Sequence, residues 1–173
     1  MDSADAQLVP LEAAEGAQPD GTAADASPAL RDARRISDRI AADEMAADEA
    51  RRRHRIDGLP VLTTDENGTP ELRSGEVLHA SRAHGLLEIA LADGEMPRDG
   101  AVYLTSERLL HVAAGQATEW RLGDLDEMLV ALERLLLIRL RNGSDITLEI
   151  DHPRLFRVEL ASAVVAARER VGV

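Results

Sequence analysis

Cysteine is absent from this 173-residue chain, lysine is absent too, and the aromatic rings number three: Tyr103, Trp120 and Phe156. Without cysteine there is no disulfide framework and no thiolate metal cluster, which fits a reducing compartment and not a stapled secreted domain. Without lysine, all 20 basic residues are arginine, so Schiff-base chemistry, a lysine general base and a phosphate-loop lysine are all excluded. Three rings leave little on which bases could stack, and a formal net charge of −12 repels phosphate backbones. Nucleic acid is therefore not an expected partner. No apolar run approaches the roughly 20 residues that span a bilayer, and the start "MDSADAQLVP" has neither a basic region nor an apolar core. The expected location is cytoplasmic.

The chain divides into unequal parts. Residues 1–29 carry six acids, Asp2, Asp5, Glu12, Glu15, Asp20 and Asp25, with no base, and such a segment cannot bury enough apolar area to offset its ordering entropy. It reads as a disordered acidic leader. Residues 30–57 are rich in strong helix formers, and Ser27-Pro28 supplies the start signal. Asp48 and Glu49 stand four residues before Arg52 and Arg53, and "RRRHR" suits the negative end of a helix dipole. Its apolar stripe, Ala33, Ile36, Ile40, Ala47 and Ala50, is narrow and interrupted by Asp43, which predicts a largely solvated helix that docks weakly. Residues 58–74, with two prolines and Asn67-Gly68, read as a linker or a loose hairpin.

From 75 to 173 the pattern is of short apolar runs between turn signals, closed by one amphipathic helix. The runs are 76–81, 86–92, 101–105, 109–113, 118–122, 128–132, 135–141 and 145–150. Register can be argued for the last three. A two-residue Asn-Gly turn in "RNGS" would put Ile146, Leu148 and Ile150 opposite in face to Leu136, Ile138 and Leu140. A three-residue loop, Arg141-Asn142-Gly143 with Gly143 left-handed, pairs Ile138 with Ile146 and Leu136 with Leu148 and gathers all of them on one side. The same reasoning at "LERLL" favours an odd loop, 133–135, which brings Met128, Val130 and Leu132 to that side. Leu129, Ala131, Leu135 and Leu137 then point outward beside Arg139 and Arg141, a set that is either covered, by the helix at 30–57 or by a partner or second subunit, or consists of ordinary exposed leucines at a sheet edge. The closing helix turns Phe156, Leu160, Ala163, Val164 and Ala167 inward.

Reactive-looking residues reduce to structure. In "GAVYLTSERLLHV" (100–112) two alternating strands flank the polar turn "TSER", and Ser106 and His111 have neither a glycine-flanked elbow nor an orienting acid. The five histidines show no zinc spacing, and "GDLDEM" lacks the glycine and glutamate of a calcium loop. The expectation is no catalytic residue, no metal and no cofactor.

The hairpin residues Gly100, Tyr103, Thr105, Arg108 and Leu109, in the pattern G-x-x-Y-L-T-x-x-R-L, followed by "EWRLGDLDEMLV", resemble the bacterial PH-like superfamily, close to GRAM-type domains, over residues 75–170. That resemblance implies a mostly β fold: a seven-stranded, partly open antiparallel barrel of two packed sheets, capped by the C-terminal helix, with the N-terminal helix separate from it. It also implies a non-enzymatic adaptor that binds proteins, peptides or lipid headgroups. Headgroup binding in such domains uses a basic first loop, and the corresponding "HASRAHG" offers Arg82 with His79 and His84. The first expectation is thus a protein or peptide partner, or a second copy, at Leu129, Leu135, Leu137, Arg139 and Arg141. The alternative is an anionic membrane surface at Arg82 and His84, which the negative total charge disfavours.

Overall fold

A computed structural model describes residues 27–63, 70–89 and 97–172. Helix α1 spans Pro28–Asp57. Seven strands follow: β1 Leu78–Ile89, β2 Arg98–Thr105, β3 Arg108–Ala113, β4 Gln116–Arg121, β5 Leu125–Ala131, β6 Leu135–Leu140 and β7 Asp145–Ile150; helix α2, Pro153–Val171, closes the chain. One turn of 3₁₀ helix, Leu122–Asp124, joins β4 to β5. Every pairing is antiparallel and the order is β4-β3-β2-β1-β7-β6-β5. The expected mostly β architecture is present, an open antiparallel sheet of seven strands closed by the C-terminal helix, as one continuous sheet with its edges at β4 and β5 instead of two packed sheets. The expected acidic leader lies almost wholly outside the described residues.

Strand β1 is the hinge of the sheet and corrects the first sequence reading. Residues 76–81 and 86–92 are not two strands around a loop: "HASRAHG" lies inside one strand. The buried positions run even through Leu78 and Ala80, then odd at Gly85 and Leu87, and that change of parity is a bulge between Arg82 and Gly85. A one-residue slip resembles a break in sequence, but here it bends a continuous strand from β2 onto β7. Gly85 pairs with both Gly100 and Ile150, and a Cβ there would meet Val102 Cγ2 at 2.4 Å. At Gly100 a Cβ would lie 2.3 Å from the carbonyl oxygen of Val112. Both glycines are required by close approach. Between them His111, 1% exposed, donates from Nε2 to the Gly85 carbonyl at 3.0 Å, so the most reactive-looking side chain of the hairpin is a core strut.

The two hairpin registers hold in parity. Leu136 pairs with Leu148 and Ile138 with Ile146, around a 141–143 loop in which Gly143 has φ +87° and donates to Leu140 at 2.9 Å. The β5–β6 loop is also three residues long but sits one residue earlier, at 132–134, because Ala131 pairs with Leu135. Met128 and Val130 keep their predicted face, whereas Leu132 occupies a left-handed turn position and is 77% exposed instead of inward. Leu136, Ile138, Ile146, Leu148 and Ile150 meet Phe156, Leu160, Ala163 and Val164 of α2 in one core, each large side chain contributing about 1.5–3 kcal/mol by burial.

Helix α1 is not separate from the domain. It docks on the opposite face of α2, where Ala47 and Ala50 pack against Val158 and Leu155. Asp43, read as an interruption of the stripe, is the docking residue. It is 3% exposed and accepts the backbone N–H groups of Arg154 (2.8 Å) and Leu155 (3.0 Å). Those are orphan donors of the first turn of α2, whose own N-cap, His152, makes no side-chain cap. A carboxylate from another helix caps α2 in its place. Farther along, His54 Nδ1 lies 3.1 Å from the Ser162 hydroxyl, so the two helices run parallel. Residues 28–39 of α1 are all exposed and are tied to the sheet by the Arg39–Glu133 pair at 2.7 Å.

Candidate functional site

Opposed residues of an antiparallel ladder share a face. Across β5, β6, β7 and β1, one outward row therefore reads Leu129–Leu137–Thr147–Glu88 and the next Ala131–Leu135–Glu149–Leu86. Leu129 is 51% and Leu137 37% exposed; Ala131, Leu135 and Leu86 are half-buried. Helix α1 lies on α2 and reaches this face only at its edge, where Glu44, Ala47 and Arg51 border Leu129; it leaves Leu137 exposed, so the cover expected from the helix is partial. Arg139 borders the strip, its Nε 3.2 Å from Asp145 and its Nη1 3.7 Å from Glu127. Arg134 bridges Glu149 and Asp151, each at 3.4 Å. The strip is thus apolar with a rim in which carboxylates outnumber guanidiniums. Arg141 does not belong to it: the residue follows β6, and its N–H donates to the Asp124 carbonyl at 2.9 Å.

Arg141 instead lines a cleft of about 580 Å³ with Arg73, Arg121, Arg168 and Arg170, where the β2–β3 turn, the β4–β5 junction, the β6–β7 turn and the end of α2 converge. Glu107 and Asp124 are its acids. Arg73 is compensated by Glu119 at 2.7 Å and Glu107 at 3.8 Å. Among the described residues the other four have no carboxylate partner. Arg170 donates to the Ser106 carbonyl and Arg168 Nη2 to the Leu125 carbonyl at 3.0 Å, while Arg168 Nε is buried without a partner among the described residues. The sequence offered a signal for Arg168 and Arg170 only as dipole partners at a helix end. Arg121 had none, since only the fold brings it beside them.

Beside this cleft lies a compensated arginine. Arg108 gives Glu76 two hydrogen bonds, at 2.8 and 3.0 Å, reaches the Glu71 carbonyl at 2.9 Å and pairs with Glu119. Thr105 Oγ1 donates to Glu76 at 2.6 Å and the Arg73 N–H at 2.7 Å. Burial alone would push the Glu76 carboxyl up; Arg108, Arg73 and Thr105 outweigh it and hold it below the ordinary value. "TSER" is therefore a lock that pins residues 71–77 to the β2–β3 turn.

Of the alternative lipid residues, Arg82 is on the inward face. It pairs with Glu159 at 2.7 Å and its guanidinium stands 5.0 Å from the Phe156 ring centre. His84 is exposed on β1. Burial raises the Glu159 carboxyl above its ordinary value despite Arg82, and burial lowers the His54 imidazole, with Arg53 and His79 adding to it.

No protein-family model and no curated protein matches the sequence. Among solved structures, the chain is similar to the C-terminal domain of an unknown protein from Leishmania infantum, at 14% identity and TM-score 0.45, covering 53% of this chain and 87% of that one. It is also similar to the Vps36 N-terminal PH domain, at 16% identity and TM-score 0.47, covering 66% and 96%. The fold assignment above stands on strand order and the capping helix. Among the described residues no helix is long and apolar enough to cross a membrane.

Proposed function

We propose that this chain is a non-enzymatic interaction domain that binds a protein segment on the outer face of β5 and β6. The observation that carries the reading is the cross-strand pair Leu129–Leu137, which stays 51% and 37% exposed although α1 borders Leu129 at the sheet edge. Leu135 extends the strip, and the acidic rim of Glu88, Glu127, Asp145 and Glu149 specifies the occupant: a segment with apolar anchors flanked by basic residues. Arg139 is held by Glu127 and Asp145 and sets the edge of the footprint. The cysteine-free composition supports a cytoplasmic setting.

A photo-crosslinking residue at Thr147, in the middle of the same row, tests this in the native host. The expected result is a discrete crosslinked protein whose contact segment has that composition and whose yield collapses with Leu137→Asp. Crosslinking that is equally strong in the Leu137→Asp variant overturns the reading, and a crosslink to a second copy of this chain replaces the foreign partner with self-association. The alternative through Arg82 and His84 draws no support from the geometry, since Glu159 holds the Arg82 guanidinium.

A further inference from the structure

The arginine-lined cleft is a separate surface from the leucine strip. We infer that it is a binding site for a phosphate-bearing ligand, held by Arg121 from the end of β4, Arg141 from the β6–β7 turn and Arg168 and Arg170 from α2. In a chain with 32 acids and 20 bases, unspecific placement would pair these guanidiniums with carboxylates, and the cleft's own two acids, Glu107 and Asp124, are outnumbered by its five arginines. Among the described residues none pairs with any of the four, although Arg73 and Arg108 nearby are compensated. Clustered cations in excess of their counterions repel one another, and a bound anion relieves that repulsion.

The C-terminal dipole of α2 accounts for two of them, Arg168 and Arg170. It does not account for Arg121 or Arg141, which come from β4 and the β6–β7 turn. Arg168 Nη2 donates to the Leu125 carbonyl at 3.0 Å, which fixes its guanidinium at the cleft wall. Ser106 lines the same cleft; its hydroxyl accepts the Val77 N–H at 3.2 Å and keeps its proton to donate. A phosphate monoester, with about two charges and three acceptor oxygens, matches planar two-pronged guanidinium donors better than a single carboxylate does. The cleft volume, about 580 Å³, falls in the range of small-molecule sites. The long-range field of a −12 chain opposes anions, so recognition rests on these short-range contacts and is screened little beyond the cleft.

Trp120, the single tryptophan, precedes Arg121 and serves as reporter. The full chain is titrated with inorganic pyrophosphate, with a soluble inositol trisphosphate, and with phosphatidylcholine vesicles with and without a phosphoinositide. Saturable binding is expected that weakens about tenfold or more in Arg121→Gln/Arg141→Gln, the loss of charge-assisted hydrogen bonds, and that is unchanged in Arg34→Gln/Arg35→Gln on α1. Both substituted pairs are exposed, and an unchanged thermal midpoint verifies folding. Binding of the soluble phosphates without vesicle capture supports a free phosphate compound; phosphoinositide-dependent capture lost in the cleft variant supports a lipid headgroup. The site is overturned if none of the probes binds saturably, or if the α1 control weakens binding as much as the cleft variant. Neither result touches the leucine strip.

Discussion

Two arginine clusters at neighbouring ends of the same strands have opposite characters. Arg108, at the start of β3, has its guanidinium filled by Glu76, Glu119 and a backbone carbonyl and is 8% exposed. Arg121, directly across the ladder from it, is exposed and belongs to the cleft set without carboxylate partners. A buried charge is tolerated only when it is matched, and the matched arginine therefore acts as structure. The unmatched ones keep their field for something outside the chain. The same residue type in one sheet thus serves cohesion at one position and recognition at the next.

The sharpest way to break the contrast is Arg108→Ala. It leaves Glu76 buried without its main partner and should cost about 3–5 kcal/mol in denaturant unfolding; a loss under 1 kcal/mol would mean that the lock is not structural. Second in size is Asp43→Ala, which removes the carboxylate that caps α2. A loss of about 1–2 kcal/mol is expected, together with faster amide exchange in the docked half of α1. A stable variant with unchanged exchange would show that the alanine contacts suffice for docking.

Protons should do part of what the first mutation does. The folded-state pKa of Glu76 lies below its ordinary value of 4.5, so its pairing stabilises above that value and the contribution fades as pH falls through the depressed pKa. Glu159 acts with opposite sign: its raised pKa withdraws stability as pH rises from 4.5 through that pKa. Glu76→Gln should flatten the acid limb of the unfolding curve, and an unchanged acid slope would remove Glu76 from the account. Smallest of all, Arg121→Gln and Arg141→Gln should each alter stability by no more than about 0.5 kcal/mol. A large loss from either would turn the unmatched set into structure and erase the distinction.

The sequence revealed what alternation controls and concealed what depends on distant pairing. Parity put Leu136, Ile138, Ile146 and Leu148 on one side, and it survived even where the β5–β6 loop lay one residue away, because a shift of the pairing by two residues preserves the face. It failed at Arg82 to Gly85, where a bulge changes parity inside a strand and looks like a loop. Asp43 was read by local polarity as a defect in an apolar stripe, but its partners are more than 100 positions away and no periodicity reports them. The leucine strip was legible from strand parity alone. The cleft was not, since its arginines come from four segments that only the folded sheet and its helix assemble; Arg141 was noticed and assigned to the leucine strip instead.

Because α1 runs parallel to α2 and first touches it at Asp43, the fifteen or so residues ahead of that contact project about 20 Å past the head of α2 at 1.5 Å per residue. That arm carries Leu30 and Ile36, 56% and 40% exposed, and is tied to the β5–β6 turn through Arg39 and Glu133. Its fulcrum is the same carboxylate that completes the first turn of α2. The docking of one helix and the capping of the other therefore depend on a single side chain, and neither can be altered at Asp43 without the other.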